Sequence, residues 1–362
     1  MNLEYDFVIS EETRRHFHRD GFAIVRNALT IGEVEILRRE VDCLINFLIS
    51  DDIDIMADYG GIIEPISCGY IDPPVSQMYI LSKKSYSSLR NMVTEEPDTV
   101  VPVLFEKMPA LVKHFLPAET ADNPLCLFNE QYIVKTPSTP STSSFKWHQD
   151  TGYMDASAQR TFPVVSCWTA LDDVNITNGT LLIEPFPRPI DTATGEYLDI
   201  PSTLVGNNNS DIDSHLQHHV SLAHHYEQEL DLETALAQSK VRASASLSSR
   251  RPTTDRLSRQ QISYERQQPV LVDIPAGSIV FLSGFVRHCS LGNPSLKFRR
   301  AWMPQFSSGK VVVPESGTFV SMAVPCNGSS DLDQERERAQ ERASGYEGEL
   351  DMDLEELDSF MD

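Results

Sequence analysis

The sequence predicts a mainly β protein with flanking helices, a sandwich or barrel braced by helical segments, and three observations carry that reading. Short apolar or alternating runs recur from residue 124 onward. Gly, Pro and Asn punctuate them, as at Asn178-Gly179 and Pro275-Ala276-Gly277, which is how short strands are separated by turns. The first fifty residues instead carry a helix-strand-helix pattern.

Residues 10 to 20 read as a helix that ends at Gly21, followed by the strand Phe22-Ala23-Ile24-Val25-Arg26. Thr30 is a good N-cap for Ile31 to Leu48, where Val34, Leu37, Val41, Leu44, Ile45 and Leu48 recur near helical spacing. Strands are expected at Leu125 to Lys135, Phe162 to Leu171, Thr180 to Ile183, Val270 to Ile274, Ser278 to Leu282 and Phe298 to Phe306. Pro304 marks an edge or a bulge in the last of these. Residues 239 to 268 are rich in Ser, Arg and Gln with few large apolar side chains, so a disordered insertion is expected there. One domain over residues 1–328, followed by an acidic disordered tail over 329–362, accounts for the whole length.

With 362 residues, 40% hydrophobic and 23% charged, the chain can bury a sizeable core. Lys+Arg 30 against Asp+Glu 53 gives −23, a balance that repels nucleic acid and anionic membranes. The last 34 residues hold 13 acids against 3 Arg. Their acidic-apolar end, Leu350 to Met361, could bind a protein partner as a short helix. No apolar run is long enough to span a membrane, the start lacks a secretory pattern, and the six Cys form no Cys-x-x-Cys pair. A cytoplasmic protein with free thiols is expected.

For chemistry, a His and an acid two residues apart on a strand point to the same side and can share a metal. An acid-rich chain yields such pairs by chance, and there are three: His18-Arg19-Asp20, His148-Gln149-Asp150 and His225-Tyr226-Glu227. His18 lies on the N-terminal helix, where a surface salt bridge is the ordinary role. His225 ends the cluster of His215, His218, His219 and His224 on a helical segment without a completing His-Glu-x-x-His or Cys partner. His148 and Asp150 sit among Phe145, Trp147 and Tyr153 at a strand end. His288 is the remaining His in strand context, followed by Arg299-Arg300 on another strand. Two His and one Asp are the facial triad of non-haem Fe(II) oxygenases, which leaves positions open for cosubstrate and O₂. A nearby Arg suits the far carboxylate of a 2-oxo acid.

With these residues the chain resembles the phytanoyl-CoA dioxygenase (PhyH) family of Fe(II)/2-oxoglutarate oxygenases over most of residues 10 to 310. The resemblance is carried by Asp20 to Arg26, Trp147 to Tyr153, Cys167 to Leu171, Asn178-Gly179-Thr180-Leu181 with Pro185, and His288-Cys289-Ser290 with Asn293 and Arg299. It implies a double-stranded β-helix (jelly-roll, cupin-like) core. It implies His148, Asp150 and His288 as Fe(II) ligands, and Arg299 as the 2-oxoglutarate anchor assisted by Ser290 and Trp168. It further implies O₂-dependent oxidation of a C–H bond in a small organic molecule, with 2-oxoglutarate decarboxylated to succinate. Having Asp150 rather than Gly or Ala argues against a halogenase; the usual outcome is hydroxylation, although desaturation or ring rearrangement uses the same parts.

Strand parity agrees in part. Trp168 shares a face with Ser166 and Ala170, while Val165, Cys167 and Leu171 form a core-like face. Of Arg299 and Arg300 one alone can point inward, and the eleven-residue offset from His288 that the resemblance implies selects Arg299. Gln131 and Lys135 could line the pocket or serve as barrel wall. Two features depart from the family: Cys289 stands where Gly is usual after the distal His, and residues 187 to 268 lengthen the separation of the ligands. The rival reading is a non-catalytic scaffold recruiting partners through its acidic tail.

Overall fold

The computed structural model describes residues 9–63 except 51, 100–152 except 101 and 121–122, 163–201, 212–226, 231–241, 262–311 except 310, and 324–326. Helix α1, Glu11–Asp20, starts where the Ser10 hydroxyl accepts the Thr13 N–H and stops at Gly21, whose φ of 81° is open to a residue without Cβ. Strand β1 follows at Phe22–Val25, then α2 at Ile31–Ser50, opened by the reciprocal Thr30–Glu33 capping box. Short α3 (Ile55–Tyr59) and β2 (Ile62–Ile63) come next, and a π-helical turn, Val103–Lys107, runs into α4, Met108–Val112.

The strands then arrive in order: β3 Leu125–Lys135, β4 Phe145–His148, β5 Val164–Ala170, β6 Leu181–Glu184 and β7 Arg188–Asp191. Helices α5 (Ile212–Ala223) and α6 (Leu232–Gln238) separate them from β8 Lys240–Val241, β9 Ile262–Glu265 and β10 Val270–Leu271. The chain finishes through β11 Ile279–Ser283, β12 Arg287–Ser290, β13 Arg299–Ser308 and β14 Val324–Pro325. A seven-stranded sheet has the order β1-β11-β5-β13-β3-β14, with β2 also on β3. A five-stranded sheet has the order β4-β12-β6-β10-β8, and β7 pairs with β9. Antiparallel, sequence-distant neighbours in two facing sheets make a double-stranded β-helix.

Alternation along each strand divides the core in two. The outward face of the large sheet, including Tyr132, Val134, Val165, Cys167, Phe281, Trp302 and Phe306, packs with Phe17 of α1, Leu37, Val41 and Leu44 of α2, and Met108 and Leu111 of α4. The inward face, with Trp168, Ala170, Val280, Leu282, Ala301 and Met303, meets Leu181, Ile183 and Val270 of the small sheet. Both parities expected of residues 165 to 171 hold. Pro304 lies in a strand flanked on both sides, so it marks no edge; the irregularity comes at the next step, between Gln305 and Phe306, where β3 carries an extra residue.

Two expectations need correction. Disorder across 239 to 268 is too broad, because both flanks are strands: β8 extends the small sheet parallel to β10, and β9 pairs with β7. Arg266 beyond β9 is tied to the buried Glu184 at 2.7 Å, an anchor that an apolar count overlooks. Residues 242–261 and the tail 329–362 lie outside the described residues. His18 is no surface residue: α5 covers it, and its ring is buried against His215 and His219. No helix of the described residues is long and apolar enough to cross a membrane.

Candidate active site

The site begins with the pairing of two strands. His148 ends β4 directly opposite His288 of β12, and the register slips between His288 and Ser290 so that Phe145 comes opposite Ser290. The slip is a bulge, the usual device for re-aiming a side chain beside a site. Past His148 the chain turns, and the turn is tied to the end of β11: Thr151 donates both its N–H and its hydroxyl to the Gly284 carbonyl, at 3.2 and 2.7 Å. The Gln149 side-chain amide donates to the Phe285 carbonyl at 2.6 Å. A Cβ on Gly284 would meet Thr151 Cγ2 at 2.4 Å, so this approach requires glycine.

That turn delivers Asp150 to the histidine pair. Its Oδ1 lies 3.6 Å from His148 Nε2 and 3.5 Å from His288 Nε2, and the three ligand atoms lie within 4.8 Å of one another. Both rings are oriented from behind by main-chain carbonyls, His148 Nδ1 contacting Lys146 O at 2.7 Å and His288 Nδ1 contacting Val286 O at 3.2 Å. A proton on each Nδ1 leaves both Nε2 lone pairs turned toward Asp150, the arrangement of metal-ligating histidines. Burial holds the His288 imidazole well below its ordinary range and outweighs the upward pull of Asp150, so it is neutral near pH 7. Asp150 Oδ2 is buried without a hydrogen-bond partner among the described residues. A lone buried carboxylate oxygen is costly, and a divalent cation satisfies it. The donor set thus fits Fe(II). The His148 side chain is 42% exposed against 5 to 6% for His288 and Asp150, so the cluster opens on the β4 side.

Behind the triad lies a cationic wall. Arg299 is fully buried; its Nη1 donates to the Ile133 carbonyl at 3.2 Å, while Nε and Nη2 have no hydrogen-bond partner among the described residues. Its guanidinium lies 5.4 Å from the Trp168 ring centroid. Burial pushes Arg299 down to about 9, still charged at neutral pH. Arg300 points outward, bound by Asp172 and Asp42, so the structure turns Arg299 and not Arg300 into the sandwich. Ser290 shares the inward face of β12 with His288, and its Oγ accepts from Lys135 Nζ at 2.9 Å. Cys289 faces the other way, among Trp147, Leu182 and Leu271, so this departure leaves the ligand face untouched. His225 stacks on Tyr264 and takes no part. Tyr153 lies outside the described residues. The reading of the sequence did not single out Thr151 or Gly284, because their roles arise from an approach between segments 133 residues apart.

A two-sheet β-helix with a His-x-Asp…His cluster and a buried cation beside it defines the class of non-haem iron enzymes that use 2-oxoglutarate. Residues 17–185 match the family model of phytanoyl-CoA dioxygenase (PhyH), a span holding His148, Asp150 and Trp168. No curated protein matches the chain in sequence. Among solved structures, EvdO2 from Micromonospora carbonacea var. aurantiaca complexed with 2-oxoglutarate is similar at 17% identity and a TM-score of 0.41, over 84% of this chain and 92% of that one. AviO1 from Streptomyces viridochromogenes is similar at 15% identity and a TM-score of 0.43, over 83% and 96%. The 2-oxoglutarate-dependent epimerase SnoN from nogalamycin biosynthesis is similar at 14% and 0.42, over 88% and 96%.

Proposed function

We propose that this chain hydroxylates a C–H bond of a small organic metabolite, decarboxylating 2-oxoglutarate to succinate as it does so, with His148, Asp150 and His288 holding Fe(II) and Arg299, Ser290 and Trp168 holding the 2-oxo acid. The observation that carries this reading is a pair of unmet demands on facing sheets: among the described residues, Asp150 Oδ2 and Arg299 Nε and Nη2 are buried without a hydrogen-bond partner. The first calls for a cation and the second for an anion. Bound iron supplies, together with the 2-oxo acid and O₂, the power to oxidise a C–H bond.

The chain's own share is placement. The Lys146 and Val286 carbonyls keep each imidazole in the ligating tautomer, and Thr151 and Gln149 fix the turn that aims Asp150. Arg299 grips a carboxylate through two parallel N–H bonds, with the Trp168 face behind it. The opening at His148 leaves one side of the cluster for a substrate, while the apolar walls of Val280, Leu282, Ala301 and Met303 keep water from the other.

Anaerobic titration with Fe(II) and 2-oxoglutarate tests this, read by the visible charge-transfer band and then by succinate released on admitting O₂. His148→Ala, Asp150→Ala and His288→Ala are each expected to abolish both signals with the fold intact, whereas His225→Ala is expected to change neither. Iron binding that survives His288→Ala but not His225→Ala would sink the assignment.

A further inference from the structure

Lys135 is a buried amine that no acid answers among the described residues. It is fully buried at the end of β3, directly opposite Arg299 of β13 in the strand pairing, so the two side chains enter the sandwich side by side. Its ammonium donates to the Ser143 carbonyl and to Ser290 Oγ, both uncharged, and lies 4.8 Å from the Phe145 ring centroid. Those bonds use two of its three N–H groups. The charged or titratable groups acting on it are Arg299 from β13 and the Cys289 thiol from β12.

The placement is built, not incidental. Asn293 donates to the carbonyls of Lys135, Thr136 and Lys297, pinning the end of β3, and its own N–H is held by Ser143 Oγ at 3.0 Å. Gly179, at a φ of +91°, gives way to the lysine stem: a Cβ there would lie 2.8 Å from Lys135 Cδ. A buried lysine without a partner acid is costly, and one held beside a half-satisfied buried guanidinium is costlier. An anion arriving between them answers both.

We propose that Lys135 is a binding residue for the 2-oxo acid, donating its third N–H to the same distal carboxylate that Arg299 grips. Ser290 Oγ, already an acceptor from Lys135, keeps its own O–H for that carboxylate. The inference rests on the cosubstrate reading above and assigns a residue which that reading leaves as wall. The proton comes from solvent: burial and the neighbouring guanidinium push the free ammonium down to about 6, so the resting side chain is mostly neutral at pH 7.5. An anion in contact raises it again. Binding therefore takes up a proton, and affinity falls as pH rises above about 6, by up to tenfold per pH unit while Lys135 stays charged in the complex.

The experiment is anaerobic calorimetry of the Fe(II)-loaded full chain with 2-oxoglutarate at pH 7.5, in buffers of differing ionisation enthalpy. Uptake approaching one proton per cosubstrate is expected. No uptake by the wild-type chain overturns the proposal without any variant. Lys135→Met, which keeps the stem, is expected to weaken 2-oxoglutarate at least tenfold and to abolish the uptake, yet to leave the weaker binding of pyruvate, which has no distal carboxylate, within twofold. Equal loss for both acids makes Lys135 merely structural and overturns the proposal, as does unchanged 2-oxoglutarate binding. A wild-type chain that takes iron but binds neither acid refutes the cosubstrate reading itself.

Discussion

Arg299 and Arg300 are neighbours with opposite duties, and the contrast is measurable. Arg299 is buried with two nitrogens bare, so Arg299→Ala removes the partner of a buried carboxylate, a loss of about 3 to 5 kcal/mol. At about 1.4 kcal/mol per decade, 2-oxoglutarate should bind at least a hundredfold more weakly, with iron affinity unchanged. Arg300 instead bridges Asp172 of the β5–β6 connection to Asp42 of α2 at 2.6 and 2.7 Å, on the helical side of the sheet. Because these pairs are partly exposed, Arg300→Ala should cost about 1 to 2 kcal/mol in a denaturant midpoint and leave cosubstrate affinity alone. A larger cosubstrate loss in Arg300→Ala than in Arg299→Ala would show that the strand is read in the wrong register. The inward residue was legible because alternation and an offset from His288 sufficed. Alternation leaves Lys135 open as pocket lining or barrel wall, and nothing local says whether a lysine on such a face has an acid waiting for it.

At the scale of elements, the turn after β4 depends on the start of the β11–β12 connection. Gly284 admits the Thr151 methyl group, and Gly284→Ala would force the turn away from β11 by the whole of that contact. Asp150 moves with the turn. Iron affinity should drop about tenfold to a hundredfold, the usual cost of disturbing the support of a metal ligand. Thr151→Ser, which removes the methyl and keeps the hydroxyl for the Gly284 carbonyl, should restore much of the loss in the double variant. A double variant no better than Gly284→Ala in an iron titration would place the damage elsewhere. Strands such as β3 and β6 were readable because their apolar runs are bounded by Pro or Gly, at Pro124 before β3 and at Gly179 and Pro185 around β6. The pairing of β9 with β7 was not, since one side of that ladder borders a stretch of Ser, Arg and Gln and the other follows a run of prolines.

Across the whole molecule, the buried histidines tie stability to acidity. His18 of α1 and His219 of α5 meet at 3.2 Å, His219 reaches Ser283 of β11 at 2.9 Å, and His218 reaches the His18 carbonyl at 2.9 Å. Burial, reinforced by mutual repulsion for His18 and His219, lowers all three. In the unfolded chain they titrate near 6.5, so below that pH the unfolded state binds protons that the native state refuses. Stability is thus complete above about pH 6.5 and falls as pH decreases, by up to about 1.4 kcal/mol per pH unit for each residue. Urea unfolding at pH 7.5 and 5.5 checks this, and His18→Gln with His219→Gln should flatten the difference. An equal slope in the double variant would exclude the cluster as its source. Sequence reasoning put His18 on the surface because burial here comes from a partner 201 residues away. The triad was readable across the chain because family-like context surrounds it at both ends, whereas His18 carries the same His-x-Asp spacing on a helix without such context.

The His148, Asp150 and His288 cluster belongs to the five-stranded sheet and the Arg299 guanidinium to the seven-stranded one. A dicarboxylic acid held at both is therefore a rung across the sandwich, and the thickness of the core becomes the ruler against which its length is judged. Facing sheets stand about 10 Å apart, a spacing set by the side chains between them. Met303 and Leu282 touch no ligand in this account, yet they help to set that gap. Discrimination between acids one methylene longer or shorter is then a property of packing, distributed over residues that an inspection of the binding groups alone would pass by.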